Sequence, residues 1–389
     1  MAARRRSVAG VDRRVGALTS RLGASPGTVT WWRAPGRVNL IGDHTDYCEG
    51  FVLPMAIDRD CLLAIAPPAD GTPDRVRARS ADRDGEVTVA ADGTDDPATV
   101  EPEWGRFVAG AVAALTDRGA RVPGARVAVG STVPLGSGLS SSSAFAVALT
   151  LALADRAAFV LDRREVARAA LDGEVRATGV PGGLMDQLAS LFGEPGHALL
   201  VDCRALTVDP VALPRTLAVV VVHSGLPRTL AGTAYAERRA ACEAAAARLG
   251  ITALRDATLD QVADDPRARH VVSENARVLE FAAALRAGDI NALGPLLLAS
   301  HRSLRDDFAV STPELDLLVD LLVDAGALGA RLTGAGFGGC VVALVQRNHA
   351  DDVVAKTVTR YRAATGLEST AFTARGAGPA GRVDPATTA

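Results

Sequence analysis

The stretch PLGSGLSSSSAF, residues 134–145, joins a strand-like segment to a long apolar run. Gly136 and Gly138 permit backbone turns that a side chain would forbid. The serines Ser140–Ser143 then stand at the head of a predicted helix continuing through AFAVALTLALA, residues 144–154. Free backbone N–H groups and the helix dipole attract anions there. Hydroxyls at the same place can donate to a phosphate or coordinate Mg²⁺. The arrangement suits a triphosphate. A flexible Gly/Ser linker would not run straight into so apolar a helix; an ordinary capped helix is the plainer alternative.

Lysine is nearly absent. Lys356 is the only one, and it follows no glycine-rich loop. A Walker-type phosphate loop needs a lysine directly after its glycines, so a nucleotide must be held in another way. The chain has 389 residues, 48% hydrophobic and 22% charged, which fits two globular domains. A formal net charge of −3 points to neither nucleic acid nor an anionic membrane. The five cysteines are scattered without CxxC spacing. This excludes a zinc site or disulfide framework and predicts a cytoplasmic setting. Arg4, Arg5 and Arg6 precede no apolar stretch, so a signal peptide is not expected. The run Ala144–Ala154 is too short to span a bilayer.

Outward from the loop, strands are predicted at Val29–Arg33, Phe51–Ala66, Arg75–Ser80, Glu86–Ala90 and Arg126–Val129. Helices are predicted at Glu103–Asp117, Arg163–Ala177 and Leu184–Leu191, then a strand at His197–Asp202. The second half reads as a strand at Leu217–His223 and helices near Ala234–Leu249, Glu274–Ala287, Ile290–Leu304 and Pro313–Ala325. A Gly-rich turn and a strand at Val341–Val345 follow. A soft domain boundary is placed at Leu206–Pro214, giving domains 1–208 and 209–389. The Pro/Gly/Ala/Thr-rich end from Gly376 is expected to be loose. The expected class is α+β in two lobes, with a small-molecule site in the cleft.

A second constellation is RAPGRVNLIGDHTDYCEGFVLPMAI, residues 33–57. Arg37, Asn39, Asp43, His44, Asp46, Tyr47 and Glu49 crowd a turn-rich stretch between apolar strands. Loops that gather so many donors and acceptors bind polar ligands. Carboxylates beside an imidazole suit sugar hydroxyls, because a carboxylate accepts two hydrogen bonds and histidine gives or takes one.

GRVNLIGDHTDY resembles the signature of galactokinases, within the superfamily of galacto-, homoserine, mevalonate and phosphomevalonate (GHMP) kinases. PLGSGLSSSSAF is similar to the superfamily's second motif, and LTGAGFGGC, residues 332–340, to its third. VPGGLMDQ, HVVSEN and SHRSLRDDF are galactokinase-like as well. The resemblance implies a GHMP kinase fold. Its N-terminal domain would be ribosomal-protein-S5-like and its C-terminal domain ferredoxin-like, with the active site between them. It implies ATP-dependent phosphorylation of the anomeric hydroxyl of galactose or a galactose-like sugar.

By resemblance, Arg37 and Asp186 are the catalytic pair. Physically, an aspartate beside the anomeric hydroxyl can accept its proton while a fixed cation steadies the shared charge. The sugar positions carry over as Asp43, His44, Asp46, Gly183 and Tyr235. Those for ATP are Gly136, Ser137, Gly138, Leu139, Ser140, Ser141, Ser142, Trp104, Gly334 and Gly336. Ser142 and Glu174 carry over as the Mg²⁺ ligands. The implied partners are a small sugar and ATP, with no nucleic acid or membrane, acting on a monomer or weak dimer.

The family's first motif usually reads GEHTDYNGG, and here it is GDHTDYCEG. Asp43 in place of glutamate withdraws its carboxylate by one C–C bond, roughly 1.5 Å. Cys48, Glu49, Ser143 and Gly182 also depart from the pattern. These changes bear on sugar choice and leave the catalytic pair intact. Two alternatives remain at this point: a kinase of altered sugar specificity, and a sugar sensor that keeps the fold without turnover.

Overall fold

The computed structural model describes residues 14–68, 72–226 and 231–384. The first lobe is built on β1 (Thr30–Asn39), which pairs antiparallel with β3 (Pro54–Ala66). The sheet order is β13-β1-β3-β6-β4-β5, where β4 is Arg75–Ser80, β5 Glu86–Ala90, β6 Ala125–Ser131 and β13 Gly381–Val383. Only the β4–β6 pair is parallel. Against one face of this sheet packs α1 (residues 14–22), and on the other side lie α2 (Arg106–Thr116), α3 (Ser141–Arg156), α4 (Arg163–Thr178) and α5 (Met185–Phe192). α3 is apolar nearly all round because it is buried between sheet and helices. α2 and α4 meet backbone to backbone at Gly110 and Gly173, where an added Cβ would strike the facing carbonyl.

The second lobe holds β9 (Leu217–His223), β10 (Gly329–Thr333), β11 (Cys340–Gln346) and β12 (Thr370–Ala374), all antiparallel in the order β10-β11-β9-β12. Around it lie α6 (Ala231–Leu249), α7 (Pro266–Ala287), α8 (Ile290–Asp306), α9 (Pro313–Asp324) and α10 (Ala350–Thr365). A small sheet of β2 (Phe51–Val52), β7 (His197–Asp202) and β8 (Thr207–Ala212) bridges the two. The lobes also share an apolar seam. Val38, Leu40 and Leu53 from the first pack with Val221, Phe281 and Val342 from the second. The two-lobed α+β expectation holds.

Three local expectations change. Arg37 stands on β1 and not in a turn, because the strand continues through a bulge at Pro35/Arg37 to Asn39. The Leu206–Pro214 stretch does not interrupt the run of elements: β8 occupies most of it, and Pro210 is tolerated because β8 is an edge strand. The segment from Gly376 is ordered as far as it is described. Ala377 N donates to Ala56 O at 2.9 Å, Ala380 N to Ser190 O at 2.7 Å, and β13 joins β1 in the first lobe. The chain end therefore returns across the 208/209 division. The Arg4–Arg6 tail and residues 385–389 lie outside the described residues. Among the described residues, no helix is long and apolar enough to cross a membrane.

Candidate active site

A cavity of about 450 Å³ opens between the lobes, with Arg37, Asp46, Ser142, Glu174 and Asp186 in its walls. Its floor is the bulge in β1. Arg37 N donates to Leu139 O at 3.1 Å, so the Gly/Ser loop lies directly on the strand. Gly36 is needed for this approach: a Cβ there would sit 2.6 Å from Leu139 O. Gly136 and Gly138 adopt positive φ, 67° and 83°, and Ser140 follows at 60°. Those turns aim the loop at the head of α3. Leu139 is buried core, and Ser137 Oγ donates to Pro134 O at 2.7 Å. Both shape the loop from within, while Gly136, Gly138 and Ser140–Ser142 face the cavity.

Asp186 sits in the first turn of α5. Arg37 Nε donates to its Oδ1 at 2.7 Å, and Ser140 Oγ donates to its Oδ2. Arg37 also donates from Nη1 to Gly138 O. The guanidinium is 6% exposed and the carboxylate 23%, so the pair is fixed yet open to the cavity. Glu174, on α4, is held by Gln187 Nε2 at 2.8 Å. Burial pushes its carboxyl up to about 7, opposed by the hydroxyl of Ser142, with the Asp186 charge pushing the same way as burial.

The sugar-signature loop forms the opposite wall. Asp46 begins a short 3₁₀ turn, Asp46–Cys48. Burial raises its carboxyl to about 7, and the nearby Asp186 charge adds to this. Gly183 lies against it: a Cβ would collide with the Asp46 carboxylate. Gly183→Ala should therefore displace that carboxylate and raise about tenfold the KM of a polar substrate it hydrogen-bonds, with melting temperature little changed. An unchanged KM in steady-state assays would refute this link.

His44 has φ of 67°, a left-handed conformation uncommon outside glycine. Its Nε2 lies 3.2 Å from Ala335 O and its Nδ1 2.9 Å from Tyr47 Oη. A carbonyl only accepts, so Nε2 carries the proton and Nδ1 accepts from the tyrosine hydroxyl. Burial, chiefly, lowers the His44 pKa to about 3, which keeps the ring neutral. Tyr235 packs on it with ring centres 5.5 Å apart and lines the cavity.

Asp43 lines the cavity and is braced from behind. Its Oδ2 pairs with Arg331 Nη2, and its Oδ1 accepts from Gly334 N at 3.0 Å. Arg331 is fully buried and Asp43 2% exposed. Each oxygen of the shorter side chain thus has a partner in the second lobe, one on Arg331 in β10 and one in the third motif. That motif accordingly grips the sugar loop: Gly334 N meets Asp43, Ala335 O meets His44, and Thr333 Oγ1 donates to Asn39 O at 2.9 Å. Gly334 lines the cavity with the phosphate loop, whereas Gly336 is packed against Val310 O.

Trp104 lines a second cavity of about 280 Å³ with Phe107 and Phe145, adjoining Ser141 and Ser142. Its Nε1 donates to Asp84 O at 3.1 Å.

Several braces escaped the reading of single residues. His270 Nε2 donates to Asp43 O at 3.1 Å. Glu274 accepts from Gly42 N at 3.0 Å and from Ser300 Oγ at 2.5 Å, and Asn275 Oδ1 accepts from Phe51 N at 2.8 Å. Burial opposes ionisation of Glu274, but Arg277, His270 and Arg331 hold it at about 2. These residues hold the sugar loop from behind. The HVVSEN and SHRSLRDDF stretches were the available signal for them.

Comparison with known proteins agrees with this geometry. Residues 18–67 match the galactokinase galactose-binding signature, 106–194 the N-terminal domain of GHMP kinases, and 281–362 their C-terminal domain. A galactokinase of Roseiflexus sp. is 45% identical, covering 90% of this chain and 92% of its own. One of Mycobacterium tuberculosis is 46% identical, covering 89% and 97%. The crystal structure of Lactococcus lactis galactokinase complexed with galactose superposes with a TM-score of 0.87 at 30% identity, covering 94% of this chain and 98% of that one. The Methanococcus jannaschii mevalonate kinase shares the fold at a TM-score of 0.66 and 18% identity.

Proposed function

The chain belongs to the galactokinase family of GHMP kinases, and on that premise we propose how its own residues transfer phosphate from ATP to the anomeric hydroxyl of galactose. The observation that supports the reading is the placement of Asp186. One carboxylate, held by Arg37 and Ser140, stands in a single cavity between the Gly/Ser loop and the sugar-signature loop. Asp186 accepts the proton of the attacking hydroxyl. Arg37 stabilises the charge shared by carboxylate, sugar oxygen and γ-phosphate. The loop N–H groups and hydroxyls at the head of α3 hold the terminal phosphates.

Asp46, with Gly183 and Tyr235 beside it, receives the sugar hydroxyls. Neutral His44 and buried Asp43 shape that wall from within. Trp104 contributes an apolar surface for the adenine ring.

The Ser142 hydroxyl and the Glu174 carboxylate are hard oxygen donors lining the same cavity beside the Gly/Ser loop, which fits Mg²⁺. Bound there, the ion would neutralise phosphate charge. Gln187 fixes the Glu174 carboxylate from one side.

The test is ADP release by purified protein with ATP and a panel of galactose, 2-deoxygalactose, galactosamine, arabinose, galacturonate and 1-deoxygalactose. Galactose is expected to turn over and 1-deoxygalactose, which lacks the accepting hydroxyl, to give none. Silence on every sugar would overturn the reading. The same assay run against pH should show kcat/KM falling below about pH 7, as Asp46 and Glu174 lose their charges. Stability moves the other way. Both folded-state pKa values are raised, so the stabilising contribution is full below the ordinary carboxyl range and is lost as pH rises through about 7.

A further inference from the structure

The walls of the main cavity are predominantly acidic. Asp43, Asp46, Glu174 and Asp186 line it, against only two arginines, Arg37 and Arg83. Arg37 is committed to Asp186 and to Gly138 O. Arg83 has no carboxylate or carbonyl partner among the described residues. Asp43 and Asp186 are already paired with Arg331 and Arg37, so Asp46 and Glu174 are the lining carboxylates with no ion-pair partner among the described residues, and Arg83 is the lining cation left to offset them toward a nucleotide's phosphates.

Arg83 also stands in the right place. It lines both the main cavity and the aromatic pocket of Trp104, where Ser141, Ser142, Leu135 and Thr178 are likewise shared. A nucleotide with its base in the aromatic pocket and its terminal phosphate at the Gly/Ser loop must pass its inner phosphates through that junction.

The segment that presents Arg83 is pinned on both flanks. It is the β4–β5 connection, residues 81–85. Ala81 N donates to Val129 O at 2.8 Å, and Asp82 Oδ2 accepts from Ser131 N at 2.6 Å. Beyond Arg83, Asp84 O accepts from Trp104 Nε1 at 3.1 Å. The Asp82 carboxylate is thus oriented by the scaffold, and the indole of the aromatic pocket anchors the arginine's own turn through the Asp84 carbonyl. Little backbone entropy is then lost when the guanidinium closes on an anion.

We propose that Arg83 is a nucleotide-binding residue whose guanidinium takes the α- and β-phosphate oxygens of ATP at the junction of the two cavities. The planar fork of arginine suits two oxygens at once. The proposal rests on the ATP site described above, and its test separates the two. Calorimetric titrations of ADP and of adenosine into the wild-type protein, Arg83→Gln and Arg83→Lys provide it. Arg83→Gln is expected to weaken ADP about tenfold and to leave adenosine within about twofold. Arg83→Lys, a point charge without the fork, should fall between. The wild-type affinity for ADP should also decline more steeply with added salt than that of Arg83→Gln.

Unchanged ADP affinity in Arg83→Gln would overturn the proposal and leave the ATP site standing. Equal weakening of ADP and adenosine would also overturn it, because that result means a disturbed pocket and not a lost phosphate contact. No ADP binding by the wild-type protein would overturn the underlying site together with the proposal.

Discussion

Asp186→Asn is expected to lower turnover by about three orders of magnitude while sugar and nucleotide still bind. The substitution is nearly isosteric. Its amide oxygen can still accept from Arg37 Nε, and its NH₂ can donate to Ser140 Oγ, which turns from donor to acceptor. The scaffold around α5 should therefore stand, with Ser190 Oγ still on Pro35 O at 2.9 Å. What disappears is the ability to take a proton. ADP release measured beside calorimetric sugar binding checks this. A variant that keeps more than a tenth of wild-type turnover with normal binding would remove Asp186 from the proton-accepting role. The Arg37–Asp186 geometry would then be structural only.

Arg331→Met should be the costliest single change to stability, about 3–5 kcal/mol. Arg331 is fully buried and pairs with an Asp43 that is itself 2% exposed. Its Nη1 also donates to the carbonyls of Asn39 and Leu40, each at 3.2 Å. Removing the guanidinium leaves one carboxylate charged and uncompensated in the seam between the lobes. The cost comes from that stranded charge, not from the worth of the pair. Adding Asp43→Asn should hence recover a large part of the loss. Urea unfolding of the single and double variants reads this directly. A loss under about 1 kcal/mol for Arg331→Met, or no recovery in the double variant, would contradict the account.

Arg331 also shows where reading the sequence runs out. In isolation it is one arginine in an apolar strand, LTGAG-proximal and otherwise unremarked. Asp43 is 288 positions away. The polar cluster in this short loop points to a ligand, and the structure shows that Asp43 and His44 line the cavity while also being tied to Arg331, Gly334 and Ala335 behind it. Asp46, three positions after Asp43, lines the same cavity with no such brace from the second lobe and with Gly183 against it. Neighbours on a turn point different ways, so composition alone cannot divide them into binders and braces. His270 and Glu274 are similar: their α7 helix was legible in part, but its first two turns, from Pro266, were not read. The face it turns to Gly42 and Asp43 exists only in the folded chain.

The sequence by itself determined what is local. The start of α3, the positive-φ glycines before it, most of the strands and the two-lobed α+β class follow from steric permission at glycine and from hydrophobic period. Tertiary structure alone decided the rest. It brought Asp186 to Arg37 across 149 positions, set Asp43 against Arg331 and Gly334, and carried the chain as far as β13 back onto β1. The physical reason is common to all three. A buried charge or an unpaired strand edge must find a partner, and which partner is within reach is set by how the lobes pack.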